Sequence, residues 1–321
     1  MRVAAVDIGT NSARLLVAEP GPGGGLAWLD RRVRVVRLGE GVDATARLSQ
    51  AAMDRALRVL ATYRRAVSDW DVQQARAVGT SAVRDASNRD EFLDRAQGVL
   101  GFRPEAITAD EEAALSFGGA VIGLSELPAP FLVIDVGGGS TELVFGDRRP
   151  SQSTSVDIGS VRLTERSLPD RPATGEQLEA ARHEVARLLA GLRFPSRPAT
   201  VAGVAGTFTS LAAIDLQLDS YDPGLVHGAG LSLGDLRRLI EYLAHQTLEE
   251  TQAIPSLDPA RAPVLLAGAV VAEATVRCTG ADRVVVSESD LLDGVAMGLV
   301  RNLGYKGATG EQRSGGWTPP S

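Results

Sequence analysis

Short apolar runs alternate with longer amphipathic segments along most of the 321-residue chain. A run such as residues 3–8 is followed at once by glycine and small polar positions, which is typical of a buried strand. Residues 49–70 instead place Met53, Leu57, Leu60 and Val67 at helical spacing behind Ser49, a good N-cap. Because this alternation occurs in both halves of the chain, it predicts an α/β fold of two similar lobes with a cleft between them.

The pattern predicts strands at residues 3–8, 13–18, 26–38, 72–78, 155–158, 200–204 and 283–287. It predicts helices at residues 49–70, 88–100, 109–122, 174–192, 207–216, 232–245, 263–277 and 291–303. Pro128 and Pro130 mark the change of lobe, so we expect an N-terminal lobe of residues 1–126 and a C-terminal lobe of residues 127–303, with the last helix free to pack back on the first lobe. Residues 304–321 lack periodicity and core material and are predicted to be disordered.

One short pattern occurs twice, at residues 6–17 and 134–145. Each copy contains an apolar strand, an aspartate (Asp7 or Asp135), a glycine turn with small hydroxyl residues, and a second apolar strand. Glycine lets backbone N–H groups approach a phosphate, and the hydroxyls add donors. The aspartate would repel that phosphate unless a divalent cation or an oriented water lay between them. Since Asp, Gly, Ser and Leu recur in register, the repeat favours two facing hairpins around one phosphate site over two unrelated glycine-rich turns.

The amino-acid composition excludes several kinds of catalytic and binding chemistry. A net charge of −7 argues against bulk affinity for nucleic acid, so a polyanion needs a local basic cluster. Lys306 is the single lysine among 33 basic residues, which leaves no P-loop lysine and no Schiff-base lysine in the body of the chain. One cysteine and three histidines provide neither a disulfide nor a zinc cage, and we expect Cys278 in the core and the histidines in packing or surface positions. Any acid or base group is therefore a carboxylate.

The start of the chain has no signal-peptide pattern, and no apolar run is long enough to cross a membrane. These features predict a cytoplasmic protein without a membrane span.

Three further segments carry candidate chemistry. Residues 79–88 follow a strand and offer hydroxyls and the Arg84 guanidinium to phosphate oxygens, although alone they read as an ordinary strand-to-helix turn. Residues 109–114 open a helix with three acids, among them Glu112, which can equally be explained by the favourable helix N-terminus. Residues 203–211 form a strand, a glycine turn and a helix start, an arrangement that receives phosphate or ribose.

At these residues the chain resembles the exopolyphosphatase and guanosine pentaphosphate phosphatase family of the actin-like ATPase superfamily. The matching motifs are D-I-G-T-N-S-x-R, T-S-A-V-R-[DE]-A-x-N, E-E-A, D-x-G-G-G-S-T-E and G-x-A-G-T, in the order and spacing of the family, over residues 1 to about 303. Sugar kinases, chaperone ATPases and actin share the paired hairpins but lack T-S-A-V-R and E-E-A. The resemblance implies two actin-like (ribonuclease H-like) lobes.

The resemblance also implies roles for individual residues. Glu112 is implied as the catalytic base that activates water, Asp135 and Glu142 as the residues that hold Mg²⁺ or position that water, and Asp7 as an assisting metal ligand from the facing lobe. The implied phosphate-binding residues are Asn11, Ser12, Arg14, Arg84, Gly137, Gly138, Gly139, Ser140, Thr141, Gly206 and Thr207.

Two departures from the family pattern bear on the substrate. Longer relatives carry a further helical C-terminal region that this sequence lacks, and a Gly-Leu-Arg-x-Gly turn common in the family is replaced by residues 289–294, Ser-Asp-Leu-Leu-Asp-Gly, which lack its arginine. Both favour shorter polymers over processive handling of long ones.

The predicted activity is Mg²⁺-dependent release of terminal orthophosphate, with inorganic polyphosphate as the first substrate and guanosine pentaphosphate as the second. An actin-like protein that binds ATP and assembles is the alternative of another class. A homodimer is the predicted assembly.

Overall fold

The computed structural model describes residues 1–21 and 24–303, so the predicted disorder of residues 304–321 lies outside the described residues. The first sheet contains β1 (Val3–Ile8), β2 (Ser12–Pro20), β3 (Leu26–Val35), β4 (Gln74–Gly79) and β5 (Glu105–Ala106), in the order β3-β2-β1-β4-β5. The helices of this half of the chain are α1 (Val42–Thr45), α2 (Gln50–Asp69), α3 (Ser81–Asp85), α4 (Arg89–Leu100) and α5 (Ala109–Gly123).

The second sheet contains β6 (Phe131–Val136), β7 (Thr141–Gly146), β8 (Pro150–Val156), β9 (Thr200–Val204), β10 (Gly230–Ser232) and β11 (Arg283–Val286), in the order β10-β11-β9-β6-β7-β8. The helices of this half are α6 (Ser160–Ser167), α7 (Gly175–Leu189), α8 (Ala205–Asp215), α9 (Pro223–Val226), α10 (Leu233–His245), α11 (Leu248–Gln252), α12 (Ala262–Cys278) and α13 (Leu291–Asn302). A short 3-10 turn, Pro259–Arg261, precedes α12.

The two sheets have the same plan. In each, three strands form an antiparallel meander, and the first of them also pairs in parallel with a later strand, β4 beside β1 and β9 beside β6. This parallel pairing follows from the intervening helical segments, because a parallel neighbour requires a crossover connection. The predicted α/β fold of two similar lobes is confirmed.

Helices α5 and α13 link the lobes, because each packs on the sheet of the other half of the chain. Apolar residues of α5, such as Phe117, pack on the second sheet, and apolar residues of α13, such as Val295, pack on the first. The two helices cross closely, since a Cβ on Gly119 would collide with the carbonyl of Asp290 and a Cβ on Gly294 with that of Leu115. The proposed boundary near residue 126 therefore falls between α5 and β6, at the point where the chain has already reached the second sheet.

Several sequence expectations need correction. Strand β8 begins at Pro150, earlier than predicted, and β3 ends at Val35. Helix α6 was not predicted at all, because Ser160–Ser167 is short and charged and its N-cap, Gly159, provides no side-chain hydrogen bond. Cys278 is exposed at the end of α12 and is not part of the core.

Among the residues that the structure describes, Pro259–Cys278 is long and apolar enough to cross a membrane, but 67% of its most apolar 18-residue window is buried inside the protein. Buried core helices pass the same test of length and composition. In this fold α12 is a central helix of the second lobe's core.

Candidate active site

The two repeated sequences form matching hairpins. Asp7 on β1 lies opposite Arg14 on β2, and Asp135 on β6 lies opposite Glu142 on β7. The turns close in the same way, since the N–H of Gly9 donates to the Ser12 carbonyl at 2.9 Å and the N–H of Gly137 donates to the Ser140 carbonyl at 3.1 Å. The predicted repeat is thus a repeat in three dimensions.

The tips of the hairpins meet across the boundary between the lobes. A Cβ on Gly138 would lie 2.9 Å from the Cβ of Thr10, and a Cβ on Gly139 would lie 2.5 Å from the Oγ of Ser81. Only glycine permits this approach, because any side chain would push the hairpins apart. The cleft beside the tips is consequently built from both halves of the chain.

Most of the sequence-predicted residues line this one cleft. The predicted residues found there are Asp7, Asn11, Ser12, Arg14, Glu112, Asp135, Gly137, Gly138, Gly139, Ser140, Gly206 and Thr207. Three others do not line it: Arg84, Thr141 and Glu142. The Thr141 hydroxyl donates to the carbonyl of Ile158 at 2.6 Å, so it supports the hairpin from behind.

Glu112 lies in the first turn of α5, whose N-cap is the Thr108 hydroxyl. Arg84, at the end of α3, donates from Nη1 to Glu112 Oε2 at 2.8 Å and to the carbonyl of Ile107 at 3.3 Å. Burial raises the pKa of Glu112 to about 7, and the hydrogen bond from Arg84 opposes that rise. Glu112 is therefore a carboxylate that exchanges a proton near neutral pH, and Arg84 holds it in place.

Asp135 is the penultimate residue of β6 and receives a hydrogen bond of 2.5 Å from the Ser116 hydroxyl of α5. Burial raises the pKa of Asp135 to about 6. Glu142 lies behind it, accepts a hydrogen bond from Ser155 at 2.8 Å, and has a pKa raised well above its usual value by burial and then by Glu112 and Asp135. Three acidic groups thus share one buried region in which they disfavour one another's ionisation.

Arg14 is held by two carboxylates. Its Nε donates to Asp7 Oδ2 at 2.7 Å, and its Nη1 donates to Asp290 at the start of α13. Asp290 is also 3.6 Å from Arg31, whose guanidinium reaches Asp293. Since a guanidinium has five N–H donors, Arg14 retains donors that can serve an anion in the cleft that it lines.

Arg261 is a residue of the cleft that the sequence did not predict. It precedes α12, lines the cleft, and lies so close to Gly206 that a Cβ there would collide with its guanidinium. Burial lowers the pKa of Arg261, and within residues 1–21 and 24–303 no carboxylate accepts a hydrogen bond from its guanidinium to offset that effect. Arg261 lies in none of the recognised motifs, so its sequence position shows only an arginine before a predicted helix.

The donor atoms fit a magnesium ion. Asp7 Oδ1 and Asn11 Oδ1 are buried and have no hydrogen-bond partner among residues 1–21 and 24–303, and carboxylate and amide oxygens are ligands that suit this ion. Among the described residues no three His, Cys, Asp or Glu side chains are grouped to hold a metal.

Comparisons with known proteins find a matching family and several similar chains. Residues 16–303 match the Ppx/GppA phosphatase family. The chain is 42% identical over 313 residues to Exopolyphosphatase 2 of Mycobacterium tuberculosis, covering 93% of this chain and 98% of that protein. Among solved structures, it resembles an exopolyphosphatase-like protein (TM-score 0.88, 36% identity, 94% and 98% of the two chains). It also resembles the Aquifex aeolicus Ppx/GppA family member (TM-score 0.81, 31% identity, 95% and 99% covered).

Proposed function

The chain belongs to the Ppx/GppA phosphatase family and is a phosphoanhydride hydrolase, and from this premise we propose that it removes terminal orthophosphate from inorganic polyphosphate. The observation that carries the proposal is the position of Glu112, a carboxylate with a pKa of about 7 in a cleft lined by two glycine hairpins. A base of that pKa accepts a proton efficiently at neutral pH.

The reaction follows from the arrangement. The terminal phosphoryl group lies in the cleft between the two hairpins, and Glu112 accepts a proton from a water as the water oxygen attacks phosphorus. The bond to the bridging oxygen breaks, and that oxygen remains on the shortened chain. Arg14 and Arg261 donate to phosphoryl oxygens, whose charge they offset in a loose transition state. Arg84 keeps the Glu112 carboxylate aimed at the water.

We assign Mg²⁺ to Asp7 and Asp135, with the amide oxygen of Asn11 as a further ligand. Glu142 lies behind these residues and does not line the cleft. When bound, the ion neutralises phosphate charge that these carboxylates would otherwise oppose. The residues fit the ion because two of their oxygens are buried with no hydrogen-bond partner in the part of the chain that the structure describes.

Guanosine pentaphosphate is the second candidate substrate, because it presents the same phosphoanhydride end. The experiment compares orthophosphate release from polyphosphates of several lengths, guanosine pentaphosphate and ATP under identical conditions. We expect the highest kcat/KM with short polyphosphates. Release only from guanosine pentaphosphate would reassign the substrate, and release only from ATP would favour the actin-like ATP-binding alternative. Cytoplasmic location and a homodimer stay predictions.

A further inference from the structure

Helix α6 is fixed to the glycine turn of the second hairpin. The N–H of Ser160 donates to the Gly137 carbonyl at 2.9 Å, and the N–H groups of Val161 and Arg162 donate to the Gly138 carbonyl at 2.9 and 3.1 Å. A Cβ on Gly159 would lie 2.5 Å from the carbonyl carbon of Gly138, so the contact is tight. Any movement of α6 is therefore transmitted to the turn that lines the cleft.

The side chain of Arg162 leaves α6 and crosses to the N-terminal lobe. Its Nη2 lies 3.0 Å from Asp85 Oδ2 and its Nε lies 3.2 Å from Asp43 Oδ1, while the side chain is only 11% exposed. Its third partner, Asp157 at 3.5 Å, belongs to its own lobe and is largely exposed. An arginine can join two carboxylates in this way because its planar guanidinium carries donors on several edges.

Asp85, a partner of Arg162 in the N-terminal lobe, is next in sequence to the residue that holds the base. Asp85 ends α3 and directly follows Arg84, the residue that holds Glu112. Asp85 also accepts a hydrogen bond of 3.3 Å from Ser81, which lines the cleft. Arg162 thus connects the glycine turn of one lobe with the helix that orients the base from the other.

We propose that Arg162 is a positioning residue that sets the alignment of the two lobes, and through it the alignment of Glu112 with the glycine turn at residues 137–139. The kinetic part of this inference rests on the proposed function. Without the bonds from Arg162 to Asp43 and Asp85, the pair of Arg166 with Asp43 at 2.6 Å remains, but this arrangement of the lobes loses part of its stabilisation, so a smaller fraction of molecules presents an assembled site.

The test compares Arg162→Gln with Arg182→Gln. Arg182 is a matched control because it also makes two ion pairs, with Glu179 at 2.7 Å and Glu241 at 2.9 Å, but both lie within the C-terminal lobe. Small-angle X-ray scattering of the substrate-free proteins measures lobe separation, and polyphosphate hydrolysis measures kcat and KM. For Arg162→Gln we expect a larger radius of gyration and a kcat/KM lowered by at least about tenfold. Arg182→Gln should match the wild type in both.

A double-mutant cycle with Asp85→Asn identifies the contact. Since either change breaks the pair between Arg162 and Asp85, we expect the loss in the double variant to be smaller than the sum of the two single losses. Arg162→Lys, which keeps the charge but cannot join both carboxylates, should fall between Arg162→Gln and the wild type and provides a second folded variant. Wild-type scattering in a folded Arg162→Gln or Arg162→Lys, or additive losses in the cycle, would overturn the inference. A wild-type protein inactive on polyphosphate would instead refute the proposed function and leave the scattering comparison valid.

Discussion

At the scale of single residues, Glu112 determines how activity should depend on pH. Burial raises its pKa to about 7, and it must be deprotonated to accept a proton from water. We therefore expect kcat/KM to rise as the pH increases through about 7 and then to level off. A pH profile of polyphosphate hydrolysis checks this, and a rate that falls over the same interval would show that Glu112 is not the base.

Arg261 should control substrate affinity while adding little to stability. Its charge is partly buried without an acidic hydrogen-bond partner, a costly arrangement that an anion in the cleft relieves. We expect Arg261→Met to raise KM for polyphosphate at least about tenfold, equivalent to roughly 1.4 kcal/mol. Its melting temperature should stay at or above that of the wild type. Unchanged KM would remove Arg261 from the substrate site.

The sequence predicted the residues of the cleft better than it predicted their partners. Asp7, Asp135 and Glu112 could be found because each lies in a recognisable turn or helix start. The hydrogen bond from Arg84 to Glu112 could not, because it depends on how α3 meets α5 in space. The hydrogen bond from Arg14 to Asp290 joins residues separated by most of the chain, so no local sequence pattern predicts it.

At the scale of elements, the crossing of α5 and α13 depends on one glycine more than on its neighbour. A Cβ on Gly119 would collide with the Asp290 carbonyl, whereas a Cβ on Gly118 would meet nothing within 4 Å. Gly119→Ala should lower the free energy of unfolding by about 1–3 kcal/mol, the usual cost of overpacking. Gly118→Ala should raise it by about 0.5–1 kcal/mol, since alanine favours helix. Denaturant unfolding measures both, and equal effects would mean that the helices can separate freely.

Elements with a clear apolar pattern were predicted well, and short elements with a weak or charged pattern were not. The helix capped by Ser49 and the strand Thr200–Val204 follow directly from apolar spacing. Helix α6 depends on contacts with the carbonyls of Gly137 and Gly138, so its formation is decided by tertiary structure. The exchange of α5 and α13 between the sheets has the same origin, because apolar spacing shows which face of a helix is buried but not against which sheet.

At the scale of the whole molecule, the cleft gathers more negative than positive charge, although its proposed substrate is a polyanion. Asp7, Glu112, Asp135 and Asp290 lie in or beside it, against Arg14, Arg84 and Arg261. We therefore predict that a chelator abolishes activity, that Mg²⁺ restores it, and that Asp135→Asn raises the Mg²⁺ requirement or abolishes turnover. Metal titrations of activity measure this, and full turnover with the chelator present would contradict it.

The first products formed from a short polyphosphate of defined length test the proposed removal of terminal orthophosphate most directly. The wild type and Glu112→Gln are measured in parallel. The wild type should produce orthophosphate and chains one unit shorter. Glu112→Gln should bind the polymer but release orthophosphate at least about a hundredfold more slowly, the usual cost of losing a general base. Internal fragments as first products, or a Glu112→Gln variant that keeps more than about a tenth of the wild-type kcat, would contradict the account.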